Sequence, residues 1–321
     1  MALPSSGPLS INDIAVEFGG TTPHSLSEYY GVAAGVPSSG TISVDDFYGT
    51  SSGVPMEVRV YGAQGGGAQY TSAGKGGYVS WSCIVSSGAD VYLYPGTQGT
   101  NPYLNDYRHG GSGGAASVVA IGSDIVAVAG GGGGAAQMGN GGAGGGDNRN
   151  GGAGGGTYKG AGGTYVSQTS GNGGARGGNA RYAGGNGAGV SLPINSNTEG
   201  KGGYGGKNSG NTPAPGGASG WPNQTEAFHG GYGGPIGFDS GGGGGGGGWG
   251  GGGGGSVDAA YGGGQAAGGG AGFAKLSSGT DYTYVSSSGA SGNRNGNGLC
   301  QIYINGTLVV NTSSTTTYTV P

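Results

Sequence analysis

Histidines and acidic residues are the side chains of this chain that could bind a metal. None of the three histidines, His24, His109 and His229, has a cysteine or an acid at the spacing typical of a metal site. The segment Asn293–Gly298, NRNGNG, begins like a calcium loop, but Ile304 stands where the closing glutamate is required. We therefore expect a turn at this segment and predict no metal site.

Lysine and serine residues are equally poor candidates for catalysis. Each Gly-Lys pair is followed by Gly or Asn, whereas a phosphate-binding P-loop requires Ser or Thr at that place. Serine is plentiful, but no Ser/His/Asp pattern accompanies it. We expect neither an enzyme nor a bound cofactor, and we predict no catalytic residue.

The composition excludes several other classes of protein. Of the 321 residues, 92 are Gly, 20 are Tyr and 13 are Pro, and only 8% are charged. Collagen requires a strict Gly-X-Y period, and disordered tails are richer in charge and poorer in aromatic residues. With 11 Lys and Arg residues and a net charge of −4, no nucleic-acid partner is expected. No apolar run approaches the roughly 18 residues that span a bilayer, so no membrane insertion is expected.

The first 52 residues are built on a repeat, because SGPLSINDI at Ser6–Ile14 recurs as SGTISVDDF at Ser39–Phe47. A serine precedes an acid by three positions at Ser10–Asp13, Ser25–Glu28 and Ser43–Asp46. This spacing is typical of helix N-terminal capping boxes, so we interpret the acids as caps rather than metal ligands. The pattern predicts a small module of three short helical turns, which end at Gly19, Gly31 and Gly49.

Strand patterns follow on both sides of the glycine-rich part. Alternating β-branched and aromatic runs over 53–130 resume over 281–321. They predict one antiparallel β sandwich or roll, with the glycine-rich residues 131–280 inserted between its strands. Cys83 and Cys300 lie in two of these strands; we expect buried free thiols, with a bridge between them as the alternative.

The inserted part carries a period of three. KGGYGGK places Lys201, Tyr204 and Lys207 three residues apart, and HGGYGGP does the same for His229, Tyr232 and Pro235. Three residues per turn is the repeat of a polyproline-II helix, whose all-glycine form is called here polyglycine-II. Such helices have no internal hydrogen bonds, so they must exchange hydrogen bonds with neighbours. The predicted fold is mainly β with a polyglycine-II bundle and little α-helix.

The longest run, Ser240–Ser256, contains fourteen glycines around Trp249. As one polyglycine-II helix it would span about 45 Å. We expect it to be central in the bundle, with Gly244, Gly245 and Gly252 in the structural core, since only glycine fits between touching backbones. Trp249 should point out through a gap or mark the bundle's edge. A flexible low-complexity linker is the alternative.

Three family resemblances follow from these motifs. The punctuated glycine runs resemble the receptor-binding adhesins at the tips of T-even-type bacteriophage long tail fibres, which implies a stacked polyglycine-II core whose loops contact the bacterial surface. SGPLSINDIAVEFGG, HSLSEYYG and SGTISVDDFYG are similar to a module of phage structural and tail proteins. VYGAQGGG, GKGGYVS and VYLYPGTQG look like the glycine-rich domain of anaplastic-lymphoma-kinase-type receptors, but the N-terminal module disfavours a kinase ectodomain.

The resemblance implies a virion protein of the tail or fibre, assembled in the host cytoplasm and attached to other virion proteins through residues 1–52. The expected partner is a host surface glycan or outer-membrane protein, and self-association, for example as a trimer, is left open. A purely structural virion component is the alternative function, and an ice-binding slab is a third. Aromatic residues in the loops are the candidate receptor contacts: Tyr158, Tyr165, Tyr182, Trp221, Phe228 and Tyr261.

Overall fold

The computed structural model describes residues 3–33, 35–50, 52–100, 109–177, 185–191, 199–205, 216–218, 226–234, 242–257 and 263–321. In chain order the helical elements are α1 (Ile11–Phe18) and two 3₁₀ turns, Leu26–Tyr29 and Val44–Phe47. The strands are β1 (Val54–Tyr61), β2 (Gly76–Val85), β3 (Asp90–Tyr94), β4 (Ser117–Ile121), β5 (Asp124–Ala129), β6 (Thr164–Ser167), β7 (Ser170–Asn172), β8 (Val190–Ser191), β9 (Phe273–Ala274), β10 (Tyr282–Arg294), β11 (Leu299–Ile304), β12 (Thr307–Thr312) and β13 (Thr316–Thr319). The fold is therefore mainly β with little α-helix, as predicted.

The N-terminal module consists of α1 and the two 3₁₀ turns. The amide of Ser10 donates to Asp13 Oδ2 at 2.8 Å, and the amide of Asp13 donates back to Ser10 Oγ at 3.2 Å. Equivalent acid caps begin the two 3₁₀ turns. The three elements bury Ile14, Tyr29 and Phe47 in a small core of their own. The predicted caps are confirmed, because each acid accepts a hydrogen bond from the serine amide three residues before it.

Two five-stranded antiparallel sheets form the sandwich. Their strand orders are β10-β2-β1-β11-β12 and β13-β3-β4-β5-β9. In β1 the buried residues alternate with partly exposed ones, as the period of two requires, and Met56, Val58 and Val60 face the core. Trp81 of β2 and Leu93 of β3 lie fully buried in the same core between the sheets. The sandwich thus joins strands from both ends of the glycine-rich part.

The two cysteines lie on either side of the central strand β1. Cys83 is opposite Met56 and Cys300 is opposite Val60, so β1 separates the two thiols. Both are buried and free, and burial raises the pKa of Cys83 to about 12. The predicted free thiols are confirmed, and the alternative of a bridge is wrong because a disulfide requires Cβ atoms about 4 Å apart.

A polar clasp fastens the chain where it returns from the glycine-rich part to the sandwich. Lys275 Nζ lies 2.6 Å from Asp124 Oδ2, and the Tyr282 hydroxyl donates to the same oxygen at 2.9 Å. The indole of Trp81 donates to the carbonyl of Lys275 at 2.7 Å. Burial alone would raise the pKa of Asp124, but the hydrogen bonds from Lys275 and Tyr282 hold it below 3.8. The clasp is therefore stabilised by the ionised carboxylate.

Replacing the carboxylate of this clasp should give a pH-dependent loss of stability. A carboxyl whose pKa is lowered on folding contributes stability above its unfolded pKa, and this contribution is lost as the pH falls through the folded pKa. We expect Asp124→Asn to lower the free energy of unfolding by about 1 kcal/mol at pH 7, since the pair is partly exposed. The difference should shrink as the pH falls from 7 to about 2, because the folded pKa of Asp124 lies below the ordinary value of an aspartate. Urea unfolding at both pH values, with Asp281→Asn as the control, measures this; an equal loss at both would contradict it.

Glycine runs continue directly from the strands into a bundle. The run after β1 begins at Gly62, the run after β5 begins at Gly130, and the run that starts at Gln265 leads into β9. The bundle also includes runs at 62–67 and 109–116, which the expected division at residue 130 had placed in the sandwich. These runs are hydrogen-bonded to runs of the glycine-rich part, so the boundary lies across the strand ends rather than at one position in the chain.

The hydrogen bonds of the bundle have the period of a polyglycine-II helix. Every third amide of the run 242–249 donates to the same neighbour, in the pairs Gly243–Gln265, Gly246–Gly268 and Trp249–Ala271, each at 2.9 Å. A three-residue repeat with all partners in other runs distinguishes this helix from an α-helix or a sheet. Hydrogen bonds join the run 242–248 to six neighbouring runs: 111–114, 131–134, 200–203, 231–234, 252–255 and 265–268. The run therefore lies in the interior, which excludes the linker alternative for 242–257.

The long glycine run is a hairpin rather than one helix. Gly252 donates to the carbonyl of Gly246 at 2.8 Å, and Gly255 donates to that of Gly243 at 2.9 Å. Residues 242–247 and 250–255 are thus antiparallel neighbours, with bends at Gly248 and Trp249. The expectation of a single helix about 45 Å long is wrong, because an unbroken glycine run carries no side chain that specifies whether it turns.

Trp249, at the bend of this hairpin, faces inward. Its side chain is fully buried and its ring stacks on Phe273, with 3.9 Å between ring centroids and 12° between planes. Its indole donates to the carbonyl of Ser167 at 3.2 Å. Both rings belong to a second core, the junction core, which lies between the sheet of β3–β5 and the bundle. Trp249 lies where the run turns at the sandwich end of the bundle, and it does not point out through a gap.

The sandwich lies between the N-terminal module and the bundle. Val32 and Ala33 of the module line a cavity of about 90 Å³ with Ile84 and Tyr282, which lie at the strand ends farthest from the bundle. The glycine runs leave the opposite strand ends. The end of the bundle remote from the sandwich, called here the distal end, contains the turns at Ala68–Thr71 and 136–139.

Candidate functional site

Two joined turns lie at the distal end. Ala68 and Thr71 exchange backbone hydrogen bonds at 3.1 and 3.3 Å, and the Thr71 hydroxyl donates to the carbonyl of Ala136 at 2.7 Å. Tyr70 is 78% exposed and Met138 is 46% exposed at the tips of these turns. Large apolar side chains held on rigid turns are suited to contact another surface.

Met138 is held in position by the neighbouring run. Its amide donates to the carbonyl of Gly264 at 2.9 Å, and the buried amide group of Gln265 donates to its sulfur at 3.3 Å. The turn is thus hydrogen-bonded to a run that continues into β9 of the sandwich.

A groove lies along one flank of the bundle. The runs 200–205 and 229–234 are parallel neighbours, since Gly202 donates to the carbonyl of His229 at 2.9 Å and Gly205 donates to that of Tyr232 at 2.8 Å. The groove has a volume of about 280 Å³ and is lined by Asn186, Gly187, Ala188, Lys201, Gly202, Gly203, Tyr204 and Tyr232. Tyr204 and Tyr232 are its two aromatic lining residues and are 54% and 40% exposed.

The charges beside this groove neutralise one another. Lys201 Nζ lies 2.8 Å from Glu226 Oε2 and 5.2 Å from the centre of the Tyr232 ring. Burial lowers the pKa of His229, and the positive charge of Lys201 lowers it further against the opposing effect of Glu226. His229 is therefore neutral at pH 7, and the charges of Lys201 and Glu226 compensate each other.

The predicted receptor contacts do not lie together at one end of the bundle. Tyr158 is half-buried near the distal end, where its carbonyl accepts a hydrogen bond from the amide of Ser256. Tyr165 is half-buried near the sandwich, and its hydroxyl accepts a hydrogen bond from Gln168 at 2.9 Å. Tyr182, Trp221 and Tyr261 lie outside the described residues.

The expectation that Phe228 contacts a receptor is wrong. Its side chain is fully buried in the junction core, beside Trp249, so its ring is not available to a receptor. The correction has a physical cause: the end of the bundle that meets the sandwich needs large apolar side chains to fill the space that glycines leave open. A loop aromatic next to a glycine run can serve that purpose as well as binding.

The exposed tyrosine and methionine of the distal end and the exposed tyrosines of the groove were not among the predicted contacts. Tyr204 and Tyr232 had indicated only the three-residue period, and Tyr70 and Met138 lie in short turns without a motif. The Gly-Gly-X spacing could have indicated that Tyr204 and Tyr232 are exposed, because a side chain on every third residue must lie on a row that no neighbouring run covers.

Among the described residues, no group of three His, Cys, Asp or Glu side chains could hold a metal ion. None of the described helices combines the length and the hydropathy needed to cross a bilayer. No protein-family model and no curated protein matches the sequence.

Proposed function

We propose that this chain is a bacteriophage virion protein, a tail-fibre or tail-tip adhesin that binds a host surface receptor with the distal end of its polyglycine-II bundle. Residues 1–52 attach it to other virion proteins, and the sandwich holds the bundle's other end. The receptor is a surface glycan or an outer-membrane protein.

The observation that carries the proposal is the polarity of the molecule. The module contacts the sandwich at the strand ends remote from the bundle, and the glycine runs lead away from the opposite ends. An adhesin needs one end for attachment and another for the receptor. This arrangement also favours the distal end as the binding end, because the sandwich and the junction core cover the other end of the bundle.

The rigidity of the bundle supports the same function. Its interior runs are hydrogen-bonded to neighbours on all sides, so the turns at the distal end rest on a stiff scaffold. Contact residues on such turns lose little conformational freedom when they bind. A substitution in a turn also leaves the backbone packing below it unchanged, which suits a surface that must adapt to different receptors.

Adsorption to host cells tests this proposal. Soluble protein added before the virus should occupy the receptor and block infection. Replacing Tyr70 and Met138 together by Ser should reduce adsorption of the protein at least about fivefold, since exposed aromatic and apolar residues dominate contact energies. The matched control is Val16→Ser, which changes an apolar residue that is 80% exposed on α1 at the other end of the molecule.

Two outcomes would contradict the proposal. Full infection in the presence of saturating soluble protein would favour the purely structural virion component. Adsorption that is unchanged by the double variant, and by Gly-Ser replacement of each distal connection in turn, would exclude the distal end as the binding surface.

A further inference from the structure

We propose that the flank groove between Tyr204 and Tyr232 binds an uncharged saccharide of one or two sugar rings. The inference rests on the proposed function and deepens it, because it assigns a ligand class and contact residues at a place other than the distal turns. Three observations support it: the residues that line the groove, the exposure of its two rings, and the pairing of Lys201 with Glu226.

Much of the groove lining is backbone. Gly187, Gly202 and Gly203 have no side chain and Ala188 adds only a methyl group, while Asn186 and Lys201 contribute polar side chains. Backbone next to exposed aromatic rings leaves room for a compact ligand such as a pyranose ring. The volume of about 280 Å³ is close to the lower limit of small-ligand sites, roughly 300 Å³.

Tyr204 is held ready for stacking. A Cβ atom added to Gly185 would lie 2.6 Å from its Cδ1 atom, so one part of the ring rests against the backbone of the neighbouring run. Its amide carbonyl accepts a hydrogen bond from Gly185 at 2.7 Å, which fixes the register of the two runs. The ring nevertheless keeps 54% of its surface exposed. A pre-positioned aromatic face binds without a large loss of side-chain entropy.

Polar groups for sugar hydroxyls line the same groove. Tyr204 and Tyr232 are partly exposed, and the hydroxyl of each can donate and accept a hydrogen bond. Lys201 brings an ammonium group to the wall, but Glu226 compensates its charge at 2.8 Å. The groove therefore offers aromatic faces and neutral hydrogen-bonding groups, which match an uncharged sugar better than an acidic one.

Saturation-transfer NMR on the full chain tests the inference. The probes are glucose, galactose, mannose and N-acetylglucosamine with their disaccharides, and sialic acid and galacturonate serve as charged probes. We expect at least one uncharged probe to bind, with Tyr204→Ala and Tyr232→Ala each weakening its affinity at least about tenfold. Tyr303→Ala is the matched control, since it removes a partly exposed tyrosine of β11 in the sandwich, outside both proposed binding surfaces, and should leave the affinity unchanged.

Melting curves and binding measurements together test the saccharide site. Because both groove tyrosines are partly exposed, the two variants should melt with the wild type, and melting curves verify this. No binding of any uncharged probe, a preference for the acidic probes, or equal affinity in the groove variants and the wild type would each overturn the saccharide site. If cell adsorption persists without saccharide binding, only the groove assignment fails; if adsorption itself is absent, the proposed function fails.

Discussion

Gly245→Ala should destabilise this protein more than an ordinary single substitution. A Cβ atom at this position would lie 2.6 Å from the carbonyl carbon of Gly252, closer still to its oxygen, and 3.0 Å from the amide of Gly203. All these atoms belong to backbone in the interior of the bundle, which cannot rotate away as a side chain can. We expect a loss of at least about 3 kcal/mol, at the upper end of overpacking effects.

The matched control is Gly152→Ala, which makes the same chemical change in another run of the bundle. Its added Cβ would lie 3.1 Å from the amide of Ala143, with the next atom at 3.5 Å, so a small shift relieves the contact. Alanine also restricts the unfolded chain, which contributes about 0.4–1 kcal/mol in the opposite direction. Its net effect should stay within about 1 kcal/mol of zero. Urea unfolding of the two variants compares them directly, and equal losses would contradict the close-packed bundle.

The cooperativity of the bundle explains why one methyl group should matter so much. Ordering a residue's backbone costs roughly 1–2 kcal/mol, whereas one hydrogen bond contributes about 0.5–1.5 kcal/mol. A single glycine run cannot remain ordered on that basis. The hairpin 242–255 is ordered because every run around it is ordered too. A displacement at Gly245 therefore weakens contacts to several neighbours at once.

Features that depend on local sequence could be predicted well. The serine–acid spacing at Ser10–Asp13 specifies a capping box within three residues, and the alternation in β1 specifies its buried face. The Gly-Gly-X repeat likewise specifies both the helix type and the row that carries side chains. In each case the physical cause lies within a few residues of the feature, so no knowledge of the partner segments is needed.

Features that depend on which runs become neighbours could not be predicted. The groove exists because 200–205 lies beside 229–234 on one side and 185–189 on the other, and glycine runs carry no signal for this pairing. The same reason explains the error over Phe228 and Trp249. Their burial depends on whether they lie at the sandwich end or the distal end of the bundle. That in turn depends on where every glycine run begins and reverses, which the local sequence does not specify.

Trp249→Ala should open the central hairpin at its bend. The substitution removes the ring stacked on Phe273 and the hydrogen bond to the carbonyl of Ser167, and it leaves a cavity in the junction core. Truncation of a buried Trp costs about 3–5 kcal/mol. Trp249→Phe should lose only about 1–2 kcal/mol, because a phenyl ring keeps much of the stacking while the N–H donor is lost.

Amide hydrogen exchange distinguishes local opening from a general loss of stability. In Trp249→Ala, amides of 242–257 should exchange faster than those of β1, because the hairpin loses its anchor while the core between the two sheets retains Trp81 and Leu93. Tyr70→Ala, which removes an aromatic residue at the exposed distal end, should leave both segments as in the wild type. Equal acceleration in the hairpin and β1 would mean that sandwich and bundle unfold as one unit. Unchanged exchange in both would mean that the bundle alone orders its longest glycine run, without an aromatic anchor.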